Sequence, residues 1–400
     1  MTSSTPVEEE DDQNRFKLIW GILKKLVGVR DIVSMRVSVP AQLLEPMSNL
    51  EYWNYMDRPD YFACLSDPEE PLERMLGVIR WWFVKDAKHV HGRLVKPYNS
   101  TLGEQFLCRW HVPKDAALGD ACLEEAQTHD YDGDAYTVTC ITEQISHHPP
   151  VSAFQYTCEE KGISAFGIDH LCIGFSGTSI KIAAGDQNKG IFIKLDTYDE
   201  EYQMTHPHAH VNGWLRGALS ISMADRCIIT CSKSGLKAVL EYKEEKWLGR
   251  AKHAIQGKVF RYDPAQEAKD ASRKDKVKIN DADVLATLSG SWREKIYYTL
   301  QGTKEECELV DLTMLRPLPK IVRPLEEQSE HESRRIWHEV STNIMQKNFA
   351  AANRAKHAVE EHQRRLAHER KHQERAAFES AYFEVLQTGY PTLKQKPARF

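Results

Sequence analysis

The chain has 400 residues, of which 41% are apolar and 28% charged, and its charges sum to −5. That balance is ordinary for a globular protein and does not suggest a nucleic-acid binder, which normally shows a strongly basic face. Nine cysteines without a CxxC pair, in an odd number and behind no signal peptide, point to reduced thiols. No window approaches the ~18 apolar residues that would cross a bilayer, so any membrane role is expected to be peripheral.

Residues 1–14 are small, polar and then acidic, which predicts a disordered tail and matches neither a secretory nor a mitochondrial leader. Phe16, Ile19, Trp20, Leu23, Leu26 and Val27 recur at helical spacing, with Lys17, Lys24 and Lys25 on another face and Gly28 as a stop. Such a helix docks on a membrane interface, covers a pocket or packs on a core, and the pattern alone leaves these open. Residues 49–94 read as helical. Leu72 to Phe83 is apolar nearly all round, so it is expected to be buried. From 95 to 315, short β-rich runs alternate with Gly, Asp, Asn and Ser clusters. They are Tyr136 to Ile141, Val151 to Thr157, Ile191 to Leu195, Ala218 to Met223, Ala238 to Tyr242 and Ile296 to Leu300. Their spacing predicts antiparallel strands closing into a sandwich or barrel. Pro317, Pro319 and Pro324 mark the exit. Residues 316–400 are expected to be helical, with one helix carrying Arg334, Arg335, Ile336, Trp337, Val340 and Ile344, and a long charged one from Ala351 to Phe383.

Within the β-rich part stands Glu143-Gln-Ile-Ser-His-His-Pro-Pro150. The prolines fix φ and remove two backbone donors, so they end the strand before them. His147 and His148 are thereby held at a strand end, where imidazoles that titrate near neutral pH can face an anion. Lys96-Pro-Tyr-Asn-Ser-Thr-Leu-Gly-Glu104 follows a Lys-Pro-x-Asn-x-x-x-Gly-Glu pattern. With Trp247-Leu-Gly-Arg250, Ser289-Gly-Ser-Trp292, Arg323-Pro-Leu-Glu-Glu-Gln328, Glu332-Ser-Arg334 and Trp337, these runs resemble the oxysterol-binding-protein-related family of lipid-transfer proteins. The likeness spans about residues 16 to 385. It implies one lipid-binding domain of α+β, mainly β class. In that fold an antiparallel near-complete β-barrel (95–315) surrounds a hydrophobic lipid tunnel. A lid helix and linker (15–48) and a helical segment (49–94) precede the barrel, and a C-terminal helical region (316–400) follows it.

The resemblance also implies a ligand, phosphatidylinositol 4-phosphate, with a headgroup site at Lys96, Asn99, His147, His148, Lys356, Glu360 and Arg364. The last three are four residues apart and share one helix face. Lys356 and Arg364 would neutralise phosphate, and Glu360 would accept bonds from inositol hydroxyls. Ile19, Trp20, Leu23, Leu43 and Leu44 would form the lid and tunnel entrance. The implied activity is exchange between membranes of that phosphoinositide for sterol, with a phosphatidylserine exchanger, or a phosphoinositide or sterol sensor that transfers nothing, as the alternatives. Lys88-His-Val-His91 stands where a known sterol carrier has a Gln-Tyr pair, which counts against sterol without removing it. The expected protein is a cytoplasmic monomer, transiently on organelle membranes, with no enzymatic activity, cofactor, metal or nucleic-acid partner.

Three other readings carry less. His206, His208 and His210 would share a strand face as a metal site, but Pro207 opposes a regular strand, and exposed histidines are expected instead. Ser146 and His147 lack a nucleophile elbow and point to opposite faces in extended chain. Neighbouring His147 and His148 rarely converge on one zinc ion. Ala381-Tyr-Phe-Glu-Val385 is a poor match to a receptor-binding motif and is expected to belong to the last helix or its end.

Overall fold

The computed structural model describes residues 39–91, 95–176, 179–212, 220–243, 253–270, 279–372, 378–385, 389–397 and 400. Ile19, Trp20 and Leu23, with the whole helix expected at 16–28, lie outside these residues, as does Trp247 to Arg250. Among the described residues no helix is long and apolar enough to cross a membrane.

Period-two alternation organises the middle of the chain. In the strand Pro150–Cys158, Phe154, Tyr156 and Cys158 join the main core, while Val151 and Ala153 face a separate cluster on the other side. In Ile163–Ser176, Ile163 and Ala165 point inward and Ile168 outward. The strands in chain order are β1 (Leu44–Ser48), β2 (Lys96–Tyr98), β3 (Gln105–Pro113), β4 (Ala135–His147), β5 (Pro150–Cys158), β6 (Ile163–Ser176), β7 (Ser179–Ala184), β8 (Ile191–Leu195) and β9 (Glu200–Met204). They continue with β10 (His208–Asn212), β11 (Ser220–Cys231), β12 (Leu236–Tyr242), β13 (Ala254–Arg261), β14 (Val284–Ser291), β15 (Lys295–Leu300) and β16 (Glu306–Asp311), and end with β17 (Phe383–Val385) and β18 (Pro391–Leu393).

Fourteen strands, β3 to β16, form one antiparallel sheet that forks. The first half of β6 pairs with β8 and its second half with β7. The two routes rejoin on β11, which pairs with β9 near Cys231 and with β10 near Ser220. One core cluster unites Trp110 of β3, Tyr156 of β5, Leu240 of β12 and Val310 of β16. The same cluster holds Phe62 of helix α1 (Pro59–Ala63) and Ile79 and Trp81 of helix α2 (Pro71–Val84). A helix can meet strands from both ends of a sheet at once only if the sheet wraps around it, so the sheet is a near-complete barrel with α2 inside. Pro71 opens α2 where its missing N–H costs nothing. Each large side chain the helix buries stabilises the fold by about 1.5–3 kcal/mol.

Three C-terminal helices follow: α3 (Ser333–Ile336), α4 (His338–Met345) and α5 (Phe349–His372). The single helix expected from Arg334 to Ile344 is interrupted at Trp337 (φ −96°, ψ 6°). The expectation that helix continues to Phe383 is corrected. Phe383 opens a short hairpin, paired with Leu393, and is 2% exposed against the outer barrel wall. The physical reason is Glu143, which points outward from β4 and is buried. Its carboxylate accepts bonds from Ser380 Oγ (2.5 Å), Ala381 N (2.8 Å) and Tyr382 N (2.9 Å). These bonds hold the segment extended, so Ala381 to Val385 is a strap on the barrel and not a helix end.

Phe383→Ala should therefore cost about 3 kcal/mol, read as a lower urea midpoint, and should open the region after residue 378 to limited proteolysis. An unchanged midpoint with an intact C-terminus would show that the strap contributes nothing.

Candidate functional site

β1 and β2 run parallel, with Leu44 opposite Lys96 and Ser48 opposite Tyr98. The turn after β2 uses Gly103 at φ 79°, a region glycine enters without steric cost. A Cβ there would lie 3.2 Å from the Phe378 ring. The turn delivers Glu104 into the interior, 1% exposed. Its carboxylate accepts bonds from Ser48 Oγ, from Thr101 N at 2.8 Å, from Ser333 Oγ at 2.8 Å and from Trp337 Nε1 at 3.0 Å. Burial pushes its pKa up and these donors pull it down. One side chain thus ties together β1, the Lys-Pro turn and the first C-terminal helices. Tyr98 stacks on Trp337 (centroids 4.6 Å, interplanar 29°), and Leu44, Val340 and Ala355 pack with them.

The same turn is locked to the His-His strand. Gly103 N donates to Gln144 O (2.9 Å), Gln144 N to Glu104 O (2.8 Å) and Ser100 Oγ to Gln144 Oε1 (2.6 Å). A register shift between Gln144 and Ser146 twists the end of β4 just before the histidines. β4 then stops at His147 and β5 starts at Pro150, so His148 and Pro149 make the turn. His147 Nδ1 lies 3.1 Å from Ser100 O. A carbonyl only accepts, so Nδ1 carries the proton and Nε2 is left for another partner. The His147 and His148 rings meet edge to face at 4.6 Å.

Lys96 Nζ donates to Asn99 Oδ1 (2.6 Å) and to Pro97 O (2.7 Å). Across from it, Lys356 of α5 is 7% exposed and pairs with Glu360 at 2.6 Å. Lys96 is exposed at the rim, and desolvation by the protein around it, then the nearby Lys356 charge, lower its pKa to about 8. Burial and then His148 lower that of His147, against the Ser100 carbonyl and Glu360. The structure thus brings Lys96, Asn99, His147, His148, Lys356 and Glu360 into one cluster at the sheet rim. Arg364 is exposed one turn further along α5. Leu43 and Leu44 are buried, with Leu44 beneath the C-terminal helices. Sequence reasoning missed Ser100, Asn353, whose Oδ1 accepts from Ala41 N (3.0 Å), and the organising part of Glu104. Only Glu104 carried a signal, as the last residue of the Lys-Pro run.

The alternating histidines do not converge. His208 faces Asp225 (3.5 Å), His210 Nδ1 lies 3.1 Å from Ser179 Oγ, and His206 precedes β10 and stacks on Tyr55 (5.7 Å, 29°). The expectation of exposed histidines is corrected: all three are half-buried, and His206 packs between Tyr55 and Trp82 inside the barrel.

A forked, curled antiparallel sheet around a helix, with a basic rim beside C-terminal helices, defines the class of fold. Comparison bears this out. The crystal structure of the Osh1 ORD domain with ergosterol superposes with a TM-score of 0.66 at 19% identity, covering 94% of this chain and 86% of that one. The Osh3 ORD with PI(4)P from Saccharomyces cerevisiae gives 0.63 at 18%, covering 94% and 90%. The family model for oxysterol-binding protein matches residues 18–350. The chain belongs to the oxysterol-binding protein family. It is 37% identical to oxysterol-binding protein-like protein 1 of Schizosaccharomyces pombe over 90% of this chain and 85% of that one. It is 32% identical to human oxysterol-binding protein-related protein 9 over 85% of this chain, which spans 43% of that relative.

Glu104→Ala would strand several buried donors at 1–3 kcal/mol each. The expected result is a loss of about 3 kcal/mol or more in chemical denaturation, larger than for Asn99→Ala at the exposed rim. Equal effects of the two would remove Glu104 from its organising place.

Proposed function

We propose that this protein is an intracellular lipid-transfer protein that exchanges sterol for phosphatidylinositol 4-phosphate between membranes. The observation that carries the reading is the Lys96–Lys356 pair. The Lys356 ammonium lies close enough to help lower the pKa of Lys96, after desolvation, and a phosphate between the two would turn that repulsion into attraction. His147 and His148 would donate to the remaining phosphate oxygens. Asn99 and Glu360 would meet inositol hydroxyls, and Arg364 would reach the headgroup from the next turn. The acyl chains would enter the barrel, where burying apolar area is favourable by roughly 25 cal/mol per Å².

The ligands named for the structural neighbours support the pairing of sterol with phosphoinositide. Osh1 was solved with ergosterol and with cholesterol, and Osh3 with PI(4)P. They favour sterol over phosphatidylserine as the second cargo. If both lipids compete for one cavity, a phosphoinositide gradient drives the other uphill. In this reading the protein is a monomeric carrier without enzymatic activity, working in the cytoplasm and touching membrane surfaces only transiently. The helix at 16–28, through Ile19, Trp20 and Leu23, would close the cavity, with Leu43 and Leu44 bracing the entrance.

Two measurements test the headgroup site. His147→Ala/His148→Ala should abolish extraction of phosphatidylinositol 4-phosphate from liposomes, followed by mass spectrometry of bound lipid, while circular dichroism stays that of the wild type. Retained extraction would sink the assignment. The second is pH dependence. Lys96 has a pKa of about 8 in the free protein, and a bound phosphate would raise it. Affinity is then fully present below about pH 8 and falls as pH rises from there through the higher bound value, so extraction should hold up to about pH 8 and drop above it. Lys96→Arg, always charged, should flatten the profile, and an unflattened profile would point to another group.

A further inference from the structure

The barrel is not closed, and its last strand is left with one side unused. β16 pairs with β15, and among the described residues no strand pairs with its other edge. A groove of about 320 Å³ opens beside that edge. Its walls are Tyr61 of α1, Arg80 of α2, Leu118 from the loop between β3 and β4, and Val310, Met314 and Leu315. Leu118 is 43% exposed and Met314 76%. Single apolar side chains on a surface are ordinary, but two that share one groove form a patch.

Arg80 gives the groove a charge. Among the described residues its guanidinium has no ion pair, and its Nε is fully buried without a hydrogen-bond partner. Its charge reaches Tyr61, Cys64 and Tyr298, groups that are neutral at pH 7. The two carboxylates on the groove are engaged elsewhere. Lys295 holds Glu308 at 2.8 Å and Asp311 at 3.0 Å, and Asp311 also accepts from Thr313 N at 2.9 Å. A buried donor on a charged group is costly to leave unmet, and folded proteins pair such groups almost without exception. A bound acceptor would remove that cost.

We propose that this groove docks an extended segment of another protein, which lies along the free edge of β16, sets one acidic side chain on Arg80 and packs one apolar side chain against Leu118 and Met314. An open strand edge offers a row of backbone donors and acceptors to such a segment. Side chains of an added strand alternate between its two faces. The acid and the apolar residue therefore sit an even number of positions apart, on the groove side. The residues between them face outward beside the exposed Glu306 and Glu308, where Lys or Arg fits. The same glutamates disfavour a second copy of this chain, because β16 paired with β16 would set like charges together. The groove shares no residue with the rim cluster, so the inference does not rest on the lipid cargo.

The test is selection of a random peptide display library on the full chain, followed by fluorescence anisotropy of the enriched peptides. These should carry an acid and an apolar residue at even spacing. Arg80→Gln should weaken them about tenfold or more, as loss of a charge-assisted bond does. Met314→Glu, at a position too exposed to disturb folding, should weaken them as well. Exchanging the acid of the peptide for Lys should abolish binding to the wild type and restore it to Arg80→Glu. Peptides N-methylated at every second amide should lose binding in one register and keep it in the other. No enriched peptide, indifference to either Arg80→Gln or Met314→Glu, or binding kept in both methylation registers would overturn the proposal. So would displacement by N-acetylglutamate at an affinity equal to that of the peptide, since the groove would then be a site for a small acid.

Discussion

The arrangement depends on one buried carboxylate. Glu104 collects hydrogen bonds from Ser48, Thr101, Ser333 and Trp337, groups spread over nearly three hundred residues of chain. A buried acid is tolerated only when donors replace its lost water. The same bonds therefore place the β1 segment, the Lys-Pro turn and the C-terminal helices relative to one another. The backbone ladder between Gly103, Glu104 and Gln144 adds the His-His strand. The rim residues are positioned by this buried frame and not by one another.

The fork in the sheet separates two environments. Below it, α2 fills the barrel with Trp81, Ile79 and Met75 against inward side chains of both sheet ends. Where α2 ends the apolar packing ends as well. Its last turn hands over to Lys85 and Asp86, which face Tyr55, Asp169 and His206. A helix inside a curled sheet thus supplies the core and ends against a polar group of side chains. The outward faces are closed separately, as Glu143 draws the C-terminal strap onto the wall through three hydrogen bonds.

The polar groups divide by sign. The rim holds Lys96, Lys356, His147 and His148, with Glu360 as a counter-charge. The interior holds Lys85 balanced by Asp86, beside Asp169. At the rim the Lys356 charge helps lower the pKa of Lys96, whereas in the interior Lys85 is paired with Asp86.

The sequence by itself determined the class of the fold and the rim residues. β5 and β8 cover the runs at Val151 and Ile191, since alternating β-branched and aromatic residues bounded by turn formers have few other stable outcomes. Lys96 was legible through family likeness, and the His-His pair also because its prolines end the strand before it. Lys356 and Glu360 were tied to them through helical spacing and family likeness. The tertiary structure alone decided the rest. That Phe383 is a strand and not helix follows from Glu143, a partner 240 residues away that no local pattern names. That His206 is internal while His208 and His210 lie on β10 follows from where the strand begins. Tyr55, Lys85 and Asp169 are unremarkable singly. Their meeting depends on sheet curvature and on the point at which α2 ends, because long-range electrostatic and packing contacts are set by the closed chain and not by neighbours in sequence.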